Sequence, residues 1–235
     1  MILTIISAYY DKSPRDIEFL KRRINHFHIL REIYPDIKMI IVDDGSEVVP
    51  INVATKGLDL TGITLARIKE DLGFNSHGAR NLGMHLTTTD WNLLIDLDYD
   101  LSSIDFNELI IHDRNVIVLV VFNVYLIHKD LFWECKGYDE EFVNMHHGDR
   151  IFFEYFKDRY EIRIAKCGIK YYRAGRKIVE SDRVSKTDYS DNKYVLVPKE
   201  HYNKRKEIEN IVRERHRTGD FSKKKILNFK WEVLS

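Results

Sequence analysis

The sequence predicts an α/β protein with a mixed, mostly parallel sheet flanked by helices. Three observations carry this. Short apolar runs of strand length alternate with amphipathic or capped helical segments. Polar groups collect where the runs end, at Tyr9 and Tyr10, at Asp43 and Asp44, and at Asp96 and Asp98. Open α/β sheets bind ligands outside the carboxyl ends of their strands, so three separate segments point at one crevice.

"LTIISAYY" opens the fold as a buried strand. "SPRDIEFLKRRINHFHILREIYP" follows as a helix. Ser13 caps it, Pro14 suits its first turn, and Asp16 suits its dipole. Ile17, Leu20, Ile24, Phe27 and Leu30 fall on one face. "IKMIIVDDGS" is a second strand, ending in two acids and a turn, and "GITLARIKE" is a third. "NSHGARNLGMHLT" reads as a capped helix with small residues in its first turn. "WNLLIDLD" is another strand, and "NVIVLVVFNVYLIHKDLFWE" holds one or two more. From Lys199 the composition turns basic: residues 199–230 hold eleven Lys or Arg against five Asp or Glu. The expected organisation is one domain over 1–198, with a basic, helical extension over 199–235 packed on it.

The chain of 235 residues is 44% apolar, ordinary for a globular protein, and its formal net charge is zero. The molecule as a whole is therefore no obvious polyanion binder. The basic extension alone suits an anionic lipid surface, a nucleic acid, or plain solvation. Cys135 and Cys167 form neither a disulfide framework nor a metal-ligand spacing, which suits a reducing, cytoplasmic setting. The longest apolar run, "VIVLVVF", falls far short of the ~18 residues of a membrane span. The start, "MILTIISAYYDK", lacks the basic region and cleavage site of a signal peptide.

The stretch "NLLIDLDYDLSS" runs an apolar strand into Asp96, Asp98 and Asp100. Alternate residues of an extended chain share a face, so the spacing crowds carboxylates into one volume. Such crowding is relieved by protonation or by a cation between the charges. A solvated acidic turn is one account; a hard divalent cation, Mg²⁺ or Mn²⁺, shared with substrate phosphates is the other. In "IIVDDGS" a tight turn explains Gly45 and Ser46, whereas two acids directly after the strand suit hydrogen bonds to a nucleobase or ribose. In "GFNSHGARNLGM", Ser76, Gly78 and Ala79 let a ligand approach a helix N-terminus, and Arg80 adds a fork of donors for phosphate or carbonyl oxygens. Packing of small residues on the sheet explains the same glycine and alanine. In "KGYDEEFVNMHHGDRIFFEYF", Ile151, Phe152, Tyr155 and Phe156 form a buried helix face. Asp149, behind two histidines, is then either a helix cap or a general base.

In this order the four segments resemble the family-2 glycosyltransferases and their relatives with the GT-A fold, over about residues 1–160. The resemblance implies a metal-dependent hexosyltransferase that uses a UDP-sugar. It places Asp98 as a direct metal ligand and Asp96 near the ribose or the metal, with Asp100 outside the triplet. It carries the base contact to Asp44, with Asp43 beside it, and sets Tyr9 or Tyr10 against the base. Arg80 would contact base or diphosphate. A further metal ligand from the C-terminal part would be His201 or His216, with His201 preferred. The family often has a Glu-Asp pair after "GYDEEF"; here "HHGD" supplies Asp149 and puts Gly148 in place of the glutamate. Asp149 as base implies inversion, with His146 and His147 close by. The acceptor stays open among glycan, lipid-linked, protein and nucleic acid hydroxyls. Two alternatives remain. A sugar-phosphate nucleotidyltransferase would show a Gly-rich basic loop after the first strand, and "AYYDKSPRD" has no glycine. A non-catalytic nucleotide-sugar binding module would not need Asp149.

Overall fold

The computed structural model describes residues 2–11, 14–109, 113–121, 123–145, 147–165 and 199–234, with the side chains of residues 14, 15 and 199–201 outside the description. The first half is a run of β–α units: β1 (Thr4–Tyr9), α1 (Pro14–Ile33), β2 (Lys38–Asp43), the short α2 (Ile51–Ala54), β3 (Ile63–Ile68), α3 (Ser76–Leu86) and β4 (Trp91–Ile95). β1 lies between β2 and β4 and β2 pairs with β3, all in parallel. This is the register expected of strands joined by helical crossovers.

β5 (Val116–Val121) and β6 (Val124–His128) form an antiparallel pair, so "VIVLVVFNVYLIH" holds two strands, and β6 runs antiparallel to β4. α4 (Lys129–Glu134), α5 (Gly148–Phe156), β7 (Glu161–Ile164), α6 (Lys199–Thr218) and β8 (Trp231–Val233) complete the order. The sheet runs β7-β5-β6-β4-β1-β2-β3-β8. β8 joins its far edge antiparallel to β3, so the C-terminal segment supplies a strand of the sheet as well as a helix.

Alternation along the strands divides the core in two. Ile5, Met39, Ile41, Leu65, Leu93 and Ile95 face α1, where they meet Phe19, Leu20, Ile24, Phe27 and Leu30. Ile6, Ile40, Val42, Ala66 and Leu94 face α3 and the aromatic residues of α5. The stripe expected for α1 is thus the one that is buried, with Ile17 partly so. α6 packs through Ile208 and Val212 on Phe142, Met145 and Ile151. Gly45, at φ 76°, turns the chain after β2 where a Cβ would strike the Glu70 carbonyl. Among the described residues, no helix is long and apolar enough to cross a membrane.

Candidate active site

A crevice of about 260 Å³ opens at the carboxyl end of β4, between the starts of α3 and α5, with Phe74, Ser76, His77, Arg80, Asp96, Asn123, Met145, His147, Asp149 and Arg150 on its walls. Its centre is Arg80. The Asn75 side chain caps α3 by accepting from Gly78 N, and Asp44 Oδ2 accepts from Asn75 N at 2.7 Å. With the helix start fixed, Arg80 projects one turn later and is buried. Its Nη1 donates to Asp149 Oδ1 at 2.5 Å and to the Tyr138 hydroxyl at 2.9 Å. Its Nη2 donates to Asp96 Oδ1 at 2.8 Å and to the Asn123 carbonyl at 3.1 Å. One guanidinium fork therefore joins the acid after β4 to the acid at the start of α5, which lie 53 positions apart in the sequence. Tyr138 also donates to Asp149 Oδ1 at 2.9 Å and shares a hydrogen bond with Tyr125. Burial pushes the Asp149 carboxyl up, but Arg80 first, with His77 and Tyr138, more than reverses this and holds it well below the usual range. Arg80 is kept charged: burial works against its charge, and the acids and phenols around it outweigh that.

The residues expected at the nucleotide divide into two groups. Tyr9 is buried in the core with its hydroxyl donating to the Val49 carbonyl, so its ring is not presented to the crevice. Tyr10, half-buried, reaches Asp71 through its hydroxyl at 3.0 Å. Asp43 is fully buried, and its two oxygens accept from Ser46 N and Ile51 N. It shapes the turn after β2 and the start of α2, and is not free to read a base. Asp44 lies next to it at the strand end and anchors Asn75. Gly78 is required for close packing, since a Cβ there would overlap the Asn75 side chain.

The expectation of three aspartates on one strand face is corrected. β4 ends at Ile95, and Tyr99 N returns to the Asp96 carbonyl in a turn. Asp100 caps the next 3-10 turn through Ser102 N and faces His26 Nδ1 at 3.2 Å. Asp96 and Asp98 remain half-buried at the strand end. Arg23 of α1, itself buried, pins this turn by donating to the carbonyls of Asp96 and Tyr99 at 2.8 and 2.9 Å. Among the described residues, no three His, Cys, Asp or Glu side chains converge as a self-sufficient metal site. Two carboxylates with the remaining positions left to substrate phosphates are a donor set that Mg²⁺ or Mn²⁺ accepts, so Asp96 and Asp98 suit such a cation in kind; Asp96 lines the crevice and Asp98 follows it in the turn, outside the lining residues. His201 lies on α6, with its side chain outside the described residues, as is His146. His216 packs against Tyr155 and Phe221 and faces Asp139, away from the residues that line the crevice.

Several side chains in and around the crevice carry no motif. His77, nine-tenths buried, stacks on Tyr138 with its Nε2 3.8 Å from Asp149 Oδ2. His147 adopts a left-handed backbone, φ 82°, and its Nδ1 lies 3.4 Å from the buried Glu209 of α6. Asn81, next to Arg80, holds the Tyr138 backbone from both sides and reaches Glu140 at 2.9 Å. The acids of "GYDEEF" tie down the C-terminal segment. Asp139 meets Lys224 and Arg215, both at 3.1 Å, Glu141 meets Arg215, and Glu140 accepts from Leu227 N. Arg215 and Lys224 of the basic segment are therefore paired with acids inside the protein.

No family model and no curated protein sequence matches this chain. Solved structures do. GalNAc-T7 with UDP, GalNAc and Mn²⁺ aligns with a TM-score of 0.55 at 11% identity, over 73% of this chain and 44% of its own. The mannosyltransferase PcManGT from Pyrobaculum calidifontis, in complex with GDP-Man and Mn²⁺, aligns with a TM-score of 0.52 at 15% identity, over 69% and 54%. S. aureus TarS aligns with a TM-score of 0.51 at 12% identity, over 72% and 59%. The chain spans roughly half the length of each. It has the GT-A fold.

Proposed function

We propose that this chain is a metal-dependent, inverting hexosyltransferase that moves a sugar from a UDP-sugar to an acceptor hydroxyl. The observation that supports it most is the Asp96–Arg80–Asp149 linkage across one crevice at the strand ends of a GT-A sheet. Asp98 and Asp96 would hold Mn²⁺ or Mg²⁺, which supplies charge neutralisation at the leaving diphosphate. Arg80 stands beside them with a planar fork suited to phosphate oxygens. Asp149 takes the proton of the acceptor hydroxyl as its oxygen bonds the anomeric carbon. The bond to the diphosphate oxygen breaks, its electron pair leaves with the diphosphate, and attack from the opposite face inverts the centre.

Asp44, buried at the end of β2 with Oδ2 accepting from Asn75 N, would meet the imide N–H of uracil through its other oxygen. Cytosine lacks that donor, and an unpaired buried acceptor costs about 1–3 kcal/mol. A titration of UDP, CDP and GDP with Mn²⁺ should therefore find UDP bound ~10-fold or more tighter than CDP. Equal binding removes Asp44 from this role. A binding module without turnover is the second reading, favoured by the grip of Arg80 on Asp149. Release of UDP from UDP-sugars separates the two.

A further inference from the structure

The position before Asp149 is a glycine for a steric reason. A Cβ on Gly148 would overlap the His77 imidazole, which fills the space that any side chain there would need. His77 is fixed on its other sides as well. It sits in the capped first turn of α3, its ring stacks on Tyr138 at 4.8 Å and 28°, and it meets Phe142 edge-on at 6.2 Å. A phenylalanine or leucine would satisfy such a slot, yet the chain buries a nitrogen in it. Nε2 has no hydrogen-bond partner among the described residues, and burying a polar atom unpaired is unfavourable. It is aimed at Asp149 Oδ2, 3.8 Å away, while the other oxygen, Oδ1, is taken by Arg80 and Tyr138.

We propose that His77 positions Asp149 for the transfer step through an imidazole–carboxylate contact, and that Gly148 is the residue that makes room for it. This rests on the reading of Asp149 as the base. The distance of 3.8 Å is just beyond a hydrogen bond, so a small closure completes the contact. Such closure follows when the donor's diphosphate draws Arg80 away from Asp149. Asp149 then keeps a fixed direction toward the acceptor instead of swinging free. His77 acts through Asp149 and touches no reacting atom.

The decisive variant is His77→Phe, which keeps the volume and the stacking and removes the nitrogens. The probe is UDP release from UDP-glucose and UDP-galactose with Mn²⁺, with water as acceptor. His77→Phe should lower kcat by ~10²-fold, the scale of a misplaced catalytic group, while KM, the Kd of UDP and Tm stay near the parent. Gly148→Ala should lower kcat likewise, and should add nothing in a His77→Ala background. Parent-like kcat in His77→Phe or in Gly148→Ala overturns the proposal. A parent that neither binds nor releases UDP instead refutes the transferase reading. The contact itself is read without turnover by ¹⁵N NMR: Asp149→Asn should move the His77 imidazole nitrogen shifts, and unmoved shifts overturn the pairing.

Discussion

Asp149 Oδ1 lies 2.5 Å from Arg80 Nη1, and that contact governs how the carboxylate can react. It keeps Asp149 ionised but lowers its proton affinity, whereas a general base works best with a pKa near the working pH. On the proposed function, a bound diphosphate that competes for Arg80 would restore this affinity. Asp149→Asn should therefore cut sugar transfer by at least ~100-fold while UDP still binds, with a lower Tm because the buried Arg80 loses its shortest ion-pair partner. Near-parent rates in that variant, or a product that retains the donor configuration, would remove Asp149 as base. His216 makes a separate prediction about stability. Burial pulls its imidazole down to about 4, with Asp139 opposing. The unfolded chain then binds a proton that the native state refuses, so this stabilisation is complete above ~6.5 and is lost as pH falls toward ~4. It amounts to at most ~3 kcal/mol. Denaturation midpoints between pH 7 and 4 should fall less steeply in His216→Phe than in the parent. That Asp149, Arg80 and Asp96 would draw together was legible in the sequence because charged groups beside apolar strands or helices need a reason. His77 and Tyr138 were not: each reads as an ordinary residue of a helix start or a loop, and what distinguishes them is a neighbour about 60 to 70 positions away.

The elements that place these residues are set by short-range patterns and corrected by long-range ones. The apolar runs gave β1 to β4 and the hairpin of β5 and β6. β7 and β8 have four and three residues, too few to show alternation, and they form because a sheet edge is already there to pair with. The aspartate triplet looked extended because i and i+2 spacing says nothing of a turn. That turn is imposed by Arg23, which the helical stripe of α1 leaves as a polar position without evident purpose. Arg23→Met should loosen the Asp96–Tyr99 turn while filling much of the buried space. Calorimetry should then show weaker Mn²⁺-dependent UDP binding than in the parent, by ~10-fold for two lost hydrogen bonds. Unchanged affinity would mean that the turn holds its shape without Arg23.

At the scale of the whole molecule, the C-terminal segment packs on the elements that carry the crevice and on the far edge of the sheet. α6 brings Glu209 to His147, Lys224 donates to the carbonyls of Cys135 and Gly137 beside Asp139, and β8 extends the sheet beyond β3. Part of its basic composition, which suggested an anionic partner, complements acids elsewhere in the chain: Arg213 meets Glu154, and Arg215 and Lys224 meet Asp139. The proposed function centres on the crevice, and its central claim is that Asp96 and Asp98 bind a nucleotide diphosphate through a divalent cation. Titration calorimetry of UDP, with and without Mn²⁺, on the parent and on Asp98→Asn tests this most directly. The account predicts Mn²⁺-dependent binding to the parent and loss of the Mn²⁺-dependent part in Asp98→Asn, with Tm unchanged. UDP binding to Asp98→Asn as tightly as to the parent, and still dependent on Mn²⁺, would contradict it.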